Sequence, residues 1–327
     1  MSRRFKVSSL IALASLSQPL LAWNDFGHMV VASVAYRNLD SQTRASVNKL
    51  LALNPYYKTK WAAMIPASAS STDRKRFLFM LAATWADAIK GDPDYHDDGA
   101  GGGNLPTGPE SSRNTGYDDF NRHKYWHFVD QPFSQDGTDI SGFAVPAPNA
   151  ETQIAVFSAI VRSRTASNDL RSYDLVWLLH LVGDVHQPLH CVTRVSSDHP
   201  QGDAGGNDET FCDVQAATCT GKLHAFWDDI LGTSDDIRSA DEFAAELDVP
   251  SVSRSDVANA KSWIQEGFTL AKAKVYVDPV VNGDGPFRAT TEYTGAARKL
   301  ARQQIALAGA RLAELLREDL KAVQEAP

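Results

Sequence analysis

The run His180-Leu-Val-Gly-Asp184-Val-His-Gln-Pro-Leu-His190 places three candidate metal ligands, His180, Asp184 and His190, in a largely apolar stretch. His180 and Asp184 are four residues apart, so on a helix they leave from one face. Pro188 ends or bends such a helix, and His190 then approaches from another direction. Neutral imidazole with carboxylate is the ligand chemistry of catalytic zinc. A buried carboxylate beside two histidines would otherwise carry a heavy desolvation cost. His224 and Asp228 repeat the spacing in Leu223-His224-Ala-Phe-Trp227-Asp228. Further ligand types occur in Trp23-Asn-Asp-Phe-Gly27-His28, Trp85-Ala86-Asp87 and Tyr125-Trp126-His127-Phe128-Val129-Asp130, and Gly205-Gly206-Asn207 precedes the second His-x-x-x-Asp pair. Singly, each has a plain reading. A histidine on an apolar helix is usually a hydrogen-bonded core residue, and a His–Asp pair at i, i+4 adds only about 0.2–0.5 kcal/mol. As a set they point to metal chemistry.

The elements that must position these residues read as helices. Apolar patterning predicts helical segments at 28–38, 77–89, 154–164, 170–185, 223–231, 255–273 and 293–323, with Ser41 capping a further helix whose stripe is Val47, Leu50 and Leu51. In the last segment Leu300, Ile305, Leu312, Leu315 and Leu316 recur at helical spacing with charges between. Strands are few. Residues 91–122, 139–148 and 195–208 read as long loops, and loops of that length in a compact domain tend to be functional. No internal repeat, linker or second domain is visible, so the expected class is all-α, one domain over 23–327.

Residues 1–22 read as a leader rather than as part of that fold. Arg3, Arg4 and Lys6 precede an apolar, serine-interrupted stretch that ends at Ala22, the pattern of a secretory signal and too short for a membrane span. Cleavage before Trp23 would give a secreted or periplasmic protein. It would also remove three positive and no negative charges, taking the formal net charge from −8 to −11. Such an acidic chain is no duplex-coating binder, since phosphate neutralisation needs Lys and Arg clusters; positive charge would have to be local, as bound zinc ions supply it. Three cysteines allow three single bridges; in an exported protein the expected one is Cys212–Cys219, closing a small loop and leaving Cys191 as a buried thiol. The absence of an Asn-x-Ser/Thr sequon favours a bacterial exported protein.

These motifs closely resemble the S1/P1 nuclease family, secreted zinc-dependent nucleases that prefer single strands. The resemblance rests on Trp23…Gly27-His28, Trp85-Ala86-Asp87, His127-Phe128-Val129-Asp130, His180…Gly183-Asp184…Gln187-Pro188-Leu189-His190, Gly205-Gly206-Asn207, Leu223-His224…Trp227-Asp228 and a C-terminal Ala308-Gly309-Ala310-Arg311-Leu312-Ala313, spanning roughly 23–316. It implies a mostly helical phospholipase C/P1 nuclease-like fold around three Zn²⁺ ions. Asp87, His127, His180 and Asp184 would hold the first zinc, and His190, His224 and Asp228 the second. The backbone amine and carbonyl of Trp23, with His28 and Asp184, would hold the third. Asp184 would thus bridge two ions, which an imidazole that keeps one nitrogen protonated cannot do. The implied activity is hydrolysis of phosphodiesters in single-stranded DNA and RNA to 5′-phosphate products, with 3′-mononucleotides losing phosphate at the same site. Phe128 would stack a base, Asp130 would bond a base edge or orient the attacking water, and Asn207 would donate to phosphate. A monomer is expected.

Some features depart from the family pattern. The segment between Asp87 and His127 is long, and its Gly99-Ala-Gly-Gly-Gly103 run suggests a mobile flap. His96 and His123 lie in this segment; solvated loop positions are the plainer expectation for both, with extra ligands as the alternative. His186 should face away from Asp184, with an outer-shell role rather than ligation. The nearest rival function is a zinc phospholipase C, but such enzymes place the first His further from the N-terminal Trp and use His-x-x-x-Glu in the last motif. A non-catalytic zinc protein is a third reading. Structural zinc sites are closed and often Cys-rich, whereas here the second zinc would have three protein ligands and no Cys.

Overall fold

The computed structural model describes residues 23–98, 109–281, 283 and 285–324. The expected leader and the Gly99–Gly103 run lie outside the described residues. The chain is mainly helical, as expected: α1 (Asp25–Asn38), α2 (Ser41–Leu51), α3 (Ala62–Met64), α4 (Ser71–Ala82), α5 (Trp85–Ala88), α6 (Ala150–Val161), α7 (Asn168–Asp184), α8 (Leu223–Asp228), α9 (Ile237–Ala245), α10 (Ala260–Leu270) and α11 (Thr291–Gln324). Among the described residues, five short strands form two small sheets. β1 (Pro132–Phe133) pairs parallel with β2 (Thr193–Arg194); β3 (Thr210–Cys212) lies between β4 (Gly221–Lys222), antiparallel, and β5 (Phe287–Arg288), parallel. Among the described residues no helix is long and apolar enough to cross a membrane.

Two helices are the frame of the site. α1 is buried continuously from Phe26 to Tyr36 and packs against α11, α9, α4 and α7. α7 is buried from Arg171 to Asp184 and packs against α6, α2 and α5. A helix apolar on all sides belongs in a core rather than on a surface, and that is where both lie. Their ends are fixed locally. The Asn24 side chain caps α1 by accepting from Gly27 N at 3.1 Å, and Ser167 caps α7 by accepting from Leu170 N at 3.2 Å. Close approach of the helices depends on two glycines: a Cβ at Gly183 would lie 2.9 Å from His28 Nδ1, and one at Gly309 would lie 2.5 Å from Val34 Cβ. Trp85, Trp126, Trp177 and Tyr173 form an edge-to-face aromatic cluster under the site, with Trp126 and Trp177 centroids 5.1 Å apart. Each such pair contributes about 0.5–1.5 kcal/mol beyond its area.

Several local expectations change. The helix expected over 77–89 breaks at Ala83–Thr84 into α4 and α5, and the carbonyl of Ala83 accepts from His180 Nδ1 at 2.8 Å. The cap of α2 is Asp40, which accepts from Gln42 N and Thr43 N, and not Ser41. The helix of 170–185 stops at Asp184, before Pro188; the proline instead opens a 3₁₀ turn, Pro188–Cys191, that carries His190. Helix α9 lies outside the predicted set although it is amphipathic, with Ile237, Ala240 and Ala244 buried at helical spacing. The disulfide is Cys212–Cys219 and Cys191 is a buried thiol, as expected.

Candidate metal centre

The side-chain ligand candidates sit on α1, α5, α7, α8 and two 3₁₀ turns, and each is itself buried. His28 is on the first turns of α1, Asp87 on the short α5, His180 and Asp184 on the last turn of α7, His127 and His190 on 3₁₀ turns, and His224 and Asp228 on α8. Three groups of buried side chains could each hold a metal ion: His28, Asp87 and His180; His127, His180 and Asp184; His190, His224 and Asp228. His28 Nε2 lies 3.2 Å from Asp184 Oδ1 and 4.0 Å from Asp87 Oδ2, His127 Nδ1 2.9 Å from Asp184 Oδ2, and His180 Nε2 3.3 Å from Asp184 Oδ2 and 3.5 Å from Asp87 Oδ1. The first two groups thus merge around Asp184, which touches three histidines. Trp23 is fully buried just before α1, and Asn24 ties the start of α1 to the end of α8 by donating to Asp229 Oδ1 at 2.8 Å and Gly232 O at 2.7 Å.

The hydrogen bonds suit a metal better than they suit each other. His180 Nδ1 faces Ala83 O at 2.8 Å, His190 Nδ1 faces His127 O at 2.8 Å, and His224 Nδ1 faces Gly205 O at 2.7 Å. A carbonyl only accepts, so each Nδ1 carries the proton and each Nε2 presents its lone pair. His190 Nε2 and His224 Nε2 nevertheless lie 3.0 Å apart. Neither has a proton for the other, and two facing lone pairs at that distance call for a cation. Both nitrogens of His28, His127 Nε2 and Asp184 Oδ1 are likewise buried without a hydrogen-bond partner. Buried polar atoms are seldom left so, and a divalent ion with His and Asp ligands satisfies them.

Charge sorts the groups. Burial works to raise the Asp184 carboxyl, but His180, His127 and His28 outweigh it and hold it well below the usual carboxylate range. Asp87 is treated similarly: burial is outweighed by Lys90, His180 and His127, with Lys90 Nζ 2.6 Å from Asp87 Oδ1. Burial pushes Asp228 well above the usual range, aided by Asp229, Asp87 and Asp184 and only partly countered by Gln187, whose Nε2 donates to Asp228 Oδ1 at 2.9 Å. Burial lowers His127 and His190 to about 3, so both are neutral and fit to ligate.

A pocket beside these groups is lined by Lys90, Lys124, His127, Phe128, Asp130, Leu189, His190, Ala204, Asn207 and His224. All three residues singled out for substrate contact, Phe128, Asp130 and Asn207, therefore share one cavity with candidate ligands. Burial and the nearby Asp203 raise the Asp130 carboxyl to about 7. Gly205 takes a left-handed conformation with φ +61°, where a Cβ would come within 2.5 Å of Leu189 O, so the loop that presents Asn207 can pass only as glycine. A second cavity borders Asp87 from the side of Asn24, Asp25, Asp229 and Asp235 and is acidic.

Sequence reading missed Lys90, Lys124 and Gln187 as site residues. Lys90 had a signal: it follows Asp87 by three, one helical turn on. Other histidines stand apart. His123 is not a solvated loop residue: it is 1 % exposed, with Nδ1 2.8 Å from Asp98 Oδ2 and Nε2 2.9 Å from Asp119 Oδ2, and it stacks on Trp126 at 3.5 Å. His96 is exposed and pairs with Asn121 through its backbone. His186 faces Val182 O at 2.7 Å and Arg311 Nη1 at 2.8 Å, so it braces α7 against α11 rather than supporting a ligand.

A mostly helical scaffold that gathers three buried His/Asp groups beside a pocket with cationic and aromatic walls defines a helical protein with candidate metal sites. The chain belongs to the S1/P1 nuclease family: the family model described as S1/P1 Nuclease matches residues 23–321, nearly its whole length. It is accordingly a nuclease, a phosphodiester hydrolase of a zinc-dependent family that acts on nucleic acid. Among curated proteins no match is found.

Proposed function

We propose that the chain is an exported trizinc endonuclease that cleaves single-stranded DNA and RNA to 5′-phosphate products and removes phosphate from 3′-mononucleotides. The observation that carries this reading is the convergence of unprotonated imidazole nitrogens and carboxylates, His190 Nε2 facing His224 Nε2 at 3.0 Å above all, beside a pocket lined by Phe128, Asp130 and Asn207. Asp87, His127, His180 and Asp184 would hold one zinc, His190, His224 and Asp228 a second, and His28, Asp184 and the Trp23 backbone a third. Zinc, when bound, supplies Lewis acidity that lowers the pKa of water to about 7 and offsets charge on the phosphate.

The remaining work falls to the chain's own residues. Phe128, half-buried at the pocket wall, offers a face for one base. Stacked duplex bases cannot reach it, which accounts for a single-strand preference. Asn207 Nδ2 donates to Ala204 O at 2.8 Å, which holds its amide at the pocket rim for the phosphate. Lys90, 3.5 Å from His127 Nδ1, brings a positive charge to the same phosphate and balances Asp87. Asp130, raised to about 7, can donate to or accept from a base edge. Export with cleavage before Trp23 frees the amine that the third zinc needs.

The test is an assay of the purified mature protein on single-stranded DNA, RNA, duplex DNA and phosphatidylcholine, with and without a chelator. Chelator-sensitive cleavage of single strands to 5′-phosphate ends is expected. Cleavage of phosphatidylcholine without cleavage of polynucleotide would assign the site to phospholipids instead.

A further inference from the structure

The second ligand group and the substrate pocket share a support that no catalytic motif marks. His190 lies in the 3₁₀ turn Pro188–Cys191, and three residues on from it the chain forms β2, Thr193–Arg194. β2 pairs with β1, which begins two residues after Asp130; Thr193 N donates to Gln131 O at 2.9 Å and Val195 N to Phe133 O at 2.8 Å. From β2 the chain runs to the loop Asp203–Glu209. The middle of that loop contributes the Gly205 carbonyl that fixes the His224 ring, and the Asn207 side chain. Backbone bonds join the loop to α8 as well, His224 N to Gly206 O at 3.3 Å and Leu223 N to Glu209 O at 3.1 Å.

Arg194 holds both ends of this loop. At one end, its backbone N donates to Asp203 Oδ1 at 2.8 Å and its carbonyl accepts from Asp203 N at 3.0 Å. At the other, its guanidinium donates to Glu209. Its remaining donors go to Gln135 Oε1 at 3.4 Å and to the carbonyls of Val280, Val281 and Gly283 at 3.2–3.3 Å. The guanidinium lies over the Tyr276 ring at 4.9 Å, and Tyr276 OH donates to Asp203 Oδ2 at 2.6 Å. Arg194, Asp203 and Glu209 are each 2 % exposed or less. The planar fork of arginine suits this; a lysine offers one point of attachment and cannot reach all the acceptors at once.

We infer that Arg194 is a positioning residue. By clamping both ends of the Asp203–Glu209 loop it sets the His224 ring for the second metal and Asn207 for substrate, so that the two are aligned together. This rests on the reading of His190, His224 and Asp228 as a zinc site.

The experiment uses the mature holoprotein with Arg194→Met, Arg194→Lys and Tyr276→Phe. Zinc per chain is counted by native mass spectrometry against a graded chelator, and KM and kcat are measured on a single-stranded oligonucleotide. In Arg194→Met one zinc of the three should bind about 10–100-fold more weakly, as when an outer partner of a ligand is lost, while the other two keep their affinity. KM should rise as well, because Asn207 moves. Arg194→Lys should recover part of both effects, and Tyr276→Phe should show a smaller version with the guanidinium intact. Wild-type affinity for all three ions in Arg194→Met, or an equal weakening of all three in both Arg194→Met and Tyr276→Phe, would overturn the clamp. A wild-type protein that binds no zinc would overturn the metal reading itself, and this proposal with it.

Discussion

The two His-x-x-x-Asp pairs share spacing and residue types but not surroundings. His180 and Asp184 end a seventeen-residue helix buried on every side, and Asp184 has three histidines within 3.3 Å. His224 and Asp228 lie on a six-residue helix at the pocket, and Asp228 has Gln187 at 2.9 Å and His224 at 3.7 Å. The first carboxyl is held ionised by its neighbours; the second is pushed by burial toward its protonated form. An i, i+4 pair thus says which side chains share a face, while packing decides whether the carboxylate is held ionised among several histidines or pushed toward its protonated form.

Removing the hub should have the largest effect. Asp184→Ala should lose more than one zinc per chain and all measurable nuclease activity, as metal analysis with an activity assay would report. Loss of one ion or none would make the two pairs equivalent. Asp228→Asn should lose a single ion and retain the other two, with activity falling at least about a hundredfold, since a direct ligand matters no less than its outer partners. If Asp228→Asn empties the whole centre, the contrast between hub and terminal ligand fails.

The pairs should also part on titration. Because burial keeps the Asp228 carboxyl protonated above the usual range, a cation must displace a proton there, whereas Asp184 is already ionised. Affinity at the His190–His224–Asp228 group should therefore fall first as pH is lowered, and chelator competition at several pH values would reveal one ion leaving ahead of the others. Gln187→Met removes the amide that orients Asp228 and that also caps the turn carrying His190 by accepting from Leu189 N at 2.7 Å, and should weaken that one ion about tenfold.

How much of this was legible in the sequence follows from the same contrast. Ligand types and helical spacing are local, so the shared faces of His180 with Asp184 and of His224 with Asp228 could be read directly, as could the helical class, whereas the sequence left three cysteine pairings open and the fold selects Cys212–Cys219. What could not be read was long-range. The Ala83 carbonyl that splits the helix expected over 77–89 meets His180 from 97 residues away in sequence. Lys90 belongs to no motif of its own, yet it is 6 % exposed against Asp87. Arg194 sits in a segment with no chemical motif, and its role depends on where β1, the 203–209 loop and Tyr276 meet. His123 was misread because sequence shows a Gly- and Asp-rich loop around it and not the two carboxylates that enclose it.

His123 gives the smallest test, and a control. It has two carboxylates on its ring nitrogens and resembles a ligand, but protons satisfy both contacts. His123→Phe should leave the zinc count unchanged and lower stability by about 1–3 kcal/mol, read by thermal unfolding. Burial acts to lower this histidine, but Asp119 and Asp98 raise it above its ordinary value of 6.5. Its contribution should therefore be complete below that pH and disappear as pH rises through the raised value. A change in metal content would mean that His123 belongs with the ligands after all.

The most direct test of the central claim is a zinc count on the mature chain beginning at Trp23, by native mass spectrometry, alongside cleavage of a single-stranded oligonucleotide. Three ions per chain are predicted, with activity lost as they are chelated and regained when zinc is restored. A fully active chain holding one ion or none would contradict the account.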